Sequence, residues 1–309
     1  MHIVRGIEQL SNQGRGRVMA LGNFDGLHRA HQELVRRLVD KARQDGLVSS
    51  LMVFDPHPLE LLCPDRAPRL LTLPEQRAEL LRQFGVDELV IVAFTDQFSR
   101  LSPEEFASRI LASYCGVRAV VVGYDYSFGK MGKGQPADLV RLGRDLGFET
   151  IVVDPVTVDG QVVSSTSIRA LLAEGNVRMA ARLLGRPFAL SGRVVHGEAR
   201  GRAIGYPTAN IAIDPRLLLP RYGVYATRQR LNGSLIRGIT NVGIKPTFAG
   251  QAPTVEVHCL DMTDHLYDQE MTVEFAEFIR PEQRFGDAQE LRDQIDRDCQ
   301  LCREILGEL

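Results

Sequence analysis

The sequence has no long apolar run. Its longest stretches of this kind, LVIVAF at 89–94 and AVVVG at 119–123, fall far short of the roughly 20 residues that a membrane helix requires. The first residues, MHIVRGIEQLSNQGRGR, lack the apolar segment of a secretory signal. These absences argue against a membrane-spanning helix and predict a soluble protein of the cytoplasm.

An excess of one charge is also missing. The 37 Lys and Arg residues nearly balance the 39 Asp and Glu residues, which leaves a net charge of −2 at pH 7. A chain without an overall basic field is not expected to hold nucleic acid, so any anion must be bound by local groups.

Cysteine is sparse, and among the five cysteines only Cys299 and Cys302 are close in sequence. This pair has neither a second CxxC nor a nearby histidine with which to complete a zinc site. We therefore expect packed, reduced thiols.

The chain shows two different secondary-structure patterns, one after the other. Up to about residue 185, strand-like runs alternate with helical ones, which predicts a parallel sheet with helices on both faces. From Leu190 onward, short alternating strands are separated by Gly, Pro and Asn turns, which predicts a small antiparallel β-barrel. A last amphipathic helix is predicted to begin at Asp287. The 309 residues suffice for two such domains.

The stretch LGNFDGLHRAH at 21–31 stands where a buried strand, RVMAL, passes into an amphipathic helix. Ligands of parallel sheets gather beyond the carboxyl ends of the strands. His28 and His31 lie at the helix start, where both rings can face one anion and the backbone N–H groups add positive potential. Surface histidines after a turn are the alternative interpretation.

A second stretch, VSSTSIRALL at 163–172, ends the first pattern. Ser164, Ser165 and Thr166 supply hydroxyls at a predicted helix N-cap, and Arg169 follows one turn later. Together these groups suit a polyphosphate. A plain capped helix explains the serines but not so readily the arginine.

Two glycine patterns are rejected as phosphate loops. GYDYSFGKM at 123–131 has five residues between its glycines, and Met stands where a P-loop requires Ser or Thr. GKGQPA at 132–137 contains a proline and has no strand directly before it.

In the second pattern, HGEARGRAIGYPTANI at 196–211 places Thr208 and Asn210 on one face of a strand. Their oxygen atoms suit Mg²⁺, although both residue types are common at strand ends. Farther on, TVEVHCL places Glu256 on one face with Thr254 and His258. From the residues alone, an ordinary solvated carboxylate is the commoner interpretation of Glu256.

These motifs carry a family resemblance. GNFDGLHRAHQ resembles the GxFDGxHxGHQ signature of nucleotidyltransferases, SSTSIR resembles the second signature of their flavin branch, and RGRAIGYPTAN resembles the riboflavin kinase motif. FDPHP at 54–58, GYDYSFGKMGKG at 123–134 and LLGRPF at 183–188 agree as well. Over its whole length the chain is similar to the family of bacterial bifunctional riboflavin kinases/FMN adenylyltransferases.

The resemblance implies a Rossmann-like nucleotidyltransferase domain over 1–184 that transfers the adenylyl group of ATP to FMN. The ATP phosphates are then expected against His28, His31, Ser164 and Arg169, near Asn23. The further nucleotide- and flavin-binding residues implied for this domain are Phe54, Asp55, His57, Asp125, Ser165 and Thr166. Phe54 would be an apolar contact of FMN, and Asp55 and His57 polar ones.

The resemblance also implies a riboflavin kinase domain over 187–309, in which Thr208 and Asn210 hold the Mg²⁺-nucleotide and Glu256 is the general base. The further binding residues implied are Arg202, Gly205, Pro207, Asn241 and Arg280. ATP, riboflavin and FMN are the expected substrates, Mg²⁺ is the expected cofactor, and no obligate protein partner is expected.

One residue departs from the family pattern. The family usually has Gly between the two histidines, where this chain has Ala30. A Cβ there crowds the phosphates if the backbone passes close to them, and it is strained if the position requires positive φ. We expect weakened but not abolished adenylyl transfer. Two other hypotheses are a kinase whose adenylyl-transfer half is impaired, and a flavin carrier without turnover.

Overall fold

A computed structural model describes residues 1–10, 16–196, 205–247, 250–260 and 266–307. Internal contacts divide the chain into two compact units, Met1–Ser164 and Ser165–Leu309. The predicted domain boundary at 184–187 rests on motifs instead of compactness, and it stays a prediction. Within the described residues, no helix combines the length and the apolar character needed to cross a membrane.

The first unit is built on a six-stranded sheet in which every pair of neighbouring strands is parallel, as predicted. The order is β1-β4-β3-β2-β5-β6. The strands are β1 His2–Arg5, β2 Arg17–Leu21, β3 Val48–Asp55, β4 Glu88–Ala93, β5 Val117–Gly123 and β6 Glu149–Val153. A short hairpin, β7 Thr157–Val158 and β8 Gln161–Val162, follows the sheet.

Helices cover both faces of this sheet. They are α1 Arg29–Asp45, α2 Pro58–Leu62, α3 Pro74–Gln83, α4 Asp96–Ser99, α5 Pro103–Glu105, a π-helix Phe106–Tyr114 and α6 Pro136–Leu146. Short 3-10 turns lie at Ile7–Gln9, Pro64–Arg66 and Lys130–Gly132. Because alternate strand residues point to opposite faces, Val18 packs in the apolar layer of α1 and Met19 in the layer of Phe106.

The second unit begins with two helices, α7 Ser165–Glu174 and α8 Val177–Leu184. Its strands are β9 Phe188–Val195, β10 Ala209–Ile213, β11 Gly223–Leu231, β12 Ser234–Thr247, β13 Gly250–Cys259 and β14 Glu270–Arg280. They form the closed antiparallel barrel that the sequence predicts, in the order β10-β13-β12-β11-β14-β9, and β9 pairs with β10 to close it. Tyr225 and Phe275 pack edge to face inside, with ring centroids 5.1 Å apart.

The last helix, α9 Ala288–Leu306, packs on the outer face of the barrel. Its buried Cys299 and Cys302 contact an apolar cluster that includes Val224 and Ile239 of the strands. The Asp287 carboxylate accepts hydrogen bonds from the N–H groups of Gln289 and Glu290, so the helix begins where predicted. All five cysteine thiols are free, and Cys63 alone is exposed.

Candidate functional sites

The LGNFDGLHRAH turn lies at the switch point of the sheet. From β2 the chain proceeds to β3 and β4 on one side and then returns to β5 on the other side of β2. The carboxyl ends of β2 and β5 therefore border the crevice where ligands of such sheets bind. Asp125, predicted to bind nucleotide or flavin, is exposed in the turn after β5.

Asp25 fixes the shape of this turn. Only 3% of the residue is exposed, and its carboxylate accepts hydrogen bonds from the N–H groups of Leu71 and Thr72 at 3.0 Å. In return, the Thr72 hydroxyl accepts from the N–H of Gly26 at 3.0 Å. Asp25 is a residue of this candidate site that the sequence does not single out; its one signal is that it is the carboxylate inside the turn.

His28 and His31 come together as predicted. His28 is the N-cap of α1, and its Nδ1 accepts a hydrogen bond from the His31 N–H at 3.3 Å. An Nδ1 that accepts carries no proton, so the ring proton of His28 lies on Nε2. The two rings stack with centroids 3.6 Å apart and 15° between their planes.

Asn23 and His57 connect the ends of β2 and β3. The Asn23 side-chain amide lies 2.8 Å from His57 Nε2, while His57 Nδ1 accepts from the N–H of Leu59 and caps α2. Beneath them, Arg77 Nη1 donates to the Asn23 carbonyl oxygen at 2.7 Å. Burial lowers the pKa of the Arg77 guanidinium, and the carboxylates of Asp25 and Asp55 oppose that shift.

Phe54 lies at the carboxyl end of β3 in a cluster of aromatic rings. Its centroid is 5.3 Å from those of Phe94 and Phe98, both at edge-to-face angles. Asp55, the next residue, is exposed. The end of β3 thus offers an apolar surface beside an accessible carboxylate.

Ala30 is the second residue of α1 and has negative φ. The structure therefore removes one of the two reasons for concern, because the position does not require a left-handed backbone. Crowding of a bound phosphate by its Cβ stays a prediction.

The predicted phosphate-binding serines lie at the division between the two units. Ser164 is the last residue of the first unit, and Ser165 and Thr166 form the first turn of α7. Arg169 follows one turn later, as expected. The predicted grouping of these residues with His28 and His31 spans both units and stays a prediction.

On the barrel, Glu256 stands between two amide side chains. β13 runs between β10 and β12, and in register Glu256 is opposite Asn210 on one side and Asn241 on the other. Since side chains alternate along strands, these three face outward while Val255 and Val257 are buried. The face predicted for TVEVHCL is the one observed.

A cleft of about 420 Å³ lies between this face and α9. One part of its wall is polar and contains Thr208, Asn241, Glu256, His258, Arg280 and Glu282. The other part is apolar and contains Val224, Ile239, Phe285, Leu291 and Ile295. The cleft therefore offers a carboxylate base and oxygen donors next to a surface for a flat apolar ring.

Arg280 is in the wall of this cleft, but its guanidinium is held by a carboxylate. Its Nη2 lies 2.8 Å from Asp298 Oδ2, its Nε donates to the same carboxylate, and 3% of the Asp298 side chain is exposed. Gln294 donates to Asp298 Oδ1 at 2.8 Å. Sequence reasoning missed Asp298 because nothing in the pattern of α9 distinguishes it from the other acidic residues there.

The loop before β10 contains Gly205, which has φ +94°, and Pro207. Both are exposed, and they lead the chain into Thr208. Arg202 lies outside the described residues. Glu282 is a further residue not selected from the sequence, and its Oε1 lies 3.4 Å from Asn241 Nδ2.

Comparison with known proteins assigns each half of the chain to a family. The FAD synthetase family model matches residues 10–167, and the riboflavin kinase model matches residues 184–306. A bifunctional riboflavin kinase/FMN adenylyltransferase of Listeria monocytogenes is 40% identical over 95% of this chain and 93% of its own. The protein of that name from Escherichia coli K12 is 39% identical over 99% and 98%.

A solved structure from Streptococcus pneumoniae, named a macrolide-efflux protein, has the same architecture. It superimposes with a TM-score of 0.90, is 33% identical in sequence, and aligns with 98% of this chain and 99% of its own.

Proposed function

The chain belongs to the family of bifunctional riboflavin kinases/FMN adenylyltransferases, and from that premise we propose which residues carry each reaction. The kinase phosphorylates riboflavin to FMN with ATP, and the adenylyltransferase converts FMN and a second ATP into FAD and pyrophosphate. We assign the kinase reaction to residues 187–309 and adenylyl transfer to residues 1–184.

One observation carries the kinase assignment: Glu256 faces a cleft whose wall has a polar part and an apolar part. The apolar part suits the flavin ring, which places the ribityl chain toward the polar part. Glu256 takes the proton of the terminal ribityl hydroxyl while its oxygen attacks the γ-phosphorus of ATP, and ADP leaves. Asn241 and Arg280 border the path of the substrate.

The residues present fit Mg²⁺. The Thr208 hydroxyl and the Asn210 amide supply oxygen ligands beside the Glu256 carboxylate. Among the described residues, no group of three His, Cys, Asp or Glu side chains offers another metal site. When bound, Mg²⁺ neutralises phosphate charge. Gly205 and Pro207 shape the loop before Thr208, and Arg202 is assigned to phosphate on the family motif alone.

For adenylyl transfer, the position of His28 and His31 at the N-terminus of α1 supports a role on the ATP phosphates. The Nε2–H of His28 donates to charge that develops on phosphate, and we assign Asn23 to the same phosphates. We assign Ser164, Ser165, Thr166 and Arg169 to the same phosphates. Oxygen of the FMN phosphate attacks the α-phosphorus and pyrophosphate leaves, so the protein needs no nucleophile of its own.

The flavin side of this site is assigned to the end of β3 and the turn after β5. Phe54 supplies the apolar contact, and Asp55, His57 and Asp125 supply polar ones. The substrates are small molecules, and a cytoplasmic location without an obligate protein partner stays a prediction.

The test is to incubate the purified chain with ATP and Mg²⁺, together with either riboflavin or FMN, and to separate the flavins by chromatography. Wild type forms FMN and then FAD. Glu256→Gln lowers FMN formation by about 10²- to 10⁴-fold, the usual contribution of a general base, and still converts FMN to FAD. The exposed Glu270 supplies the control Glu270→Gln, which leaves both reactions unchanged.

Loss of both reactions in a folded Glu256→Gln chain contradicts the separation of the two sites. FMN that accumulates without FAD in the wild type supports an adenylyl-transfer half impaired by Ala30. Flavin binding without any use of ATP supports a carrier.

A further inference from the structure

His258 contacts the segment that leads into the proposed Mg²⁺ ligands. It follows Glu256 by two residues on β13, and its Nδ1 lies 2.9 Å from the main-chain carbonyl oxygen of Pro207. A carbonyl oxygen only accepts hydrogen bonds, so Nδ1 of His258 carries a proton and donates. This bond holds the main chain one residue before Thr208.

Tyr206 fixes the same segment from the other side. Its hydroxyl donates to Asp296 Oδ1 of α9 at 2.7 Å, and its ring meets His258 edge to face with centroids 5.5 Å apart. The hydrogen bond to Asp296 raises the pKa of the Tyr206 hydroxyl to about 12, so it remains a donor at neutral pH.

These two side-chain contacts matter because Thr208 precedes the first residue of β10 that pairs with β13, so strand pairing does not hold it in place. The pairing of β10 with β13 begins at Ala209, opposite Val257. The preceding residues include Gly205, whose backbone is the most permissive of all residues, and Pro207, which has no N–H to donate. The position of the Thr208 hydroxyl therefore depends on side-chain contacts to residues 206–207.

We propose that His258 is a positioning residue for the kinase reaction. Its Nδ1–H holds the Pro207 carbonyl and so keeps the Thr208 hydroxyl beside Asn210 and Glu256, where the Mg²⁺-nucleotide binds. The ring acts through the Pro207 carbonyl oxygen. This role rests on the proposed function, which assigns Thr208 and Asn210 to the Mg²⁺-nucleotide.

Three substitutions distinguish the contribution of the N–H donor of His258 from that of its aromatic ring. His258→Asn places an amide N–H near the position of Nδ1, His258→Gln places it near Nε2, and His258→Phe keeps a ring against Tyr206 without any donor. We expect the KM for Mg²⁺-ATP in FMN formation to rise about five- to tenfold in the Gln and Phe variants, as for the loss of one hydrogen bond. The Asn variant stays within about twofold of wild type, and kcat changes less than KM in all three.

Conversion of FMN to FAD by the same chains is the internal control and stays unchanged. If His258→Phe does not fold, the comparison of His258→Asn with His258→Gln decides alone. Equal KM values for Mg²⁺-ATP in wild type and every folded variant overturn the role of His258, and so does an equal loss in the Asn and Gln variants.

A second readout is independent of turnover. In protein labelled with ¹⁵N-histidine, long-range ¹H–¹⁵N correlation spectra distinguish a proton on Nδ1 from one on Nε2. The His258 signal is the one that disappears in the Asn variant, and we expect it to carry a proton on Nδ1 at neutral pH. A neutral ring protonated only on Nε2 overturns the proposal. A wild-type chain that forms no FMN overturns the proposed function and this role with it.

Discussion

His28 serves the fold and the proposed chemistry with different atoms of one ring. Its Nδ1 caps α1 by accepting the His31 N–H, which leaves the ring proton on Nε2. The residue is 4% exposed, so the ring has little freedom to exchange these roles. The cap thereby selects the tautomer that the proposed contact with phosphate requires.

Substitution at His28 separates the two roles. Asn is among the best N-cap residues, whereas Ala has no acceptor and costs about 1 kcal/mol of stability at this position. We expect His28→Asn to melt like wild type and His28→Ala to melt lower, while both lose FAD formation. Calorimetry and flavin chromatography measure the two effects. Full FAD formation by the Asn variant would show that Nε2–H has no part in the transfer.

Ala30→Gly tests the one departure from the family pattern. Removal of the Cβ relieves crowding of a bound phosphate, so we expect a lower KM for ATP in FAD formation. Glycine in a helix costs up to about 1 kcal/mol relative to alanine, so the melting temperature falls slightly. Ala181→Gly, in α8 of the other unit, is the control that lowers stability alone. Unchanged kinetics in Ala30→Gly mean that Ala30 is neutral.

The sequence indicated which residues belong to each turn but not what holds the turns in place. His28, His31 and Asn23 are local to one motif, and all three lie at the carboxyl end of β2. Asp25 escaped notice because its partners, Leu71 and Thr72, lie 46 and 47 residues away in the chain. Such contacts are visible only after the sheet has brought distant segments together.

At the scale of elements, α9 forms one wall of the cleft that we propose for the kinase reaction. Leu291 and Ile295 face the cleft, while Cys302 and Leu306 farther along the same face are buried against the barrel. The Arg280–Asp298 ion pair joins the helix to β14 at the polar end of the wall. Loss of this pair therefore affects both stability and the shape of the cleft.

Asp298→Ala leaves Arg280 without its carboxylate partner. Removing one member of a largely buried ion pair costs about 3–5 kcal/mol in well-buried cases, and the 14% exposure of the Arg280 side chain places this pair toward the lower end. We expect a lower melting temperature and a higher KM for riboflavin. Asp293→Ala, on an exposed position of the same helix, is the matched control. If KM for riboflavin does not change, the wall formed by α9 does not contact the flavin.

The elements that the sequence predicted are those with a long periodic pattern. Helix α1, predicted as amphipathic, buries Leu34, Val35, Leu38, Val39 and Ala42 on one face. In contrast, β1 has four residues and α4 has four, too few to show a period. For β10 the sequence indicates a strand only at Thr208 and Asn210, because the Gly and Pro before them are typical of loops. Nothing in 102–116 distinguishes the π-helix from an α-helix.

At the scale of the whole molecule, the contacts of helices α7 and α8 make them part of the same unit as the barrel that follows them. Arg178 of α8 forms an ion pair with Glu277 of β14. The N–H of Arg221 donates to the Leu172 carbonyl at 2.8 Å, and Gly175 lies against the Phe278 ring. A kinase fragment cut at the motif boundary lacks these contacts.

Two fragments test where the kinase domain begins. We expect both 165–309 and 187–309 to form FMN, since the proposed catalytic residues lie after 187. The longer fragment should melt about 5 °C or more above the shorter one, because 1 kcal/mol corresponds to a few degrees for domains of this size. An inactive or unfolded 187–309 beside an active 165–309 moves the domain boundary to the start of α7.

The way the barrel closes also determines when it can be completed during synthesis of the chain. Its first strand, β9, pairs with its last, β14, so that Phe188 is opposite Phe275. Strand β10, the neighbour of β9 on its other side, is made soon after it, but the ribosome must add most of the remaining chain before β14 is available. The parallel sheet, whose last strand ends at Val153, is fully synthesised long before. During translation the nascent chain therefore carries a complete first sheet while the barrel still lacks its last strand.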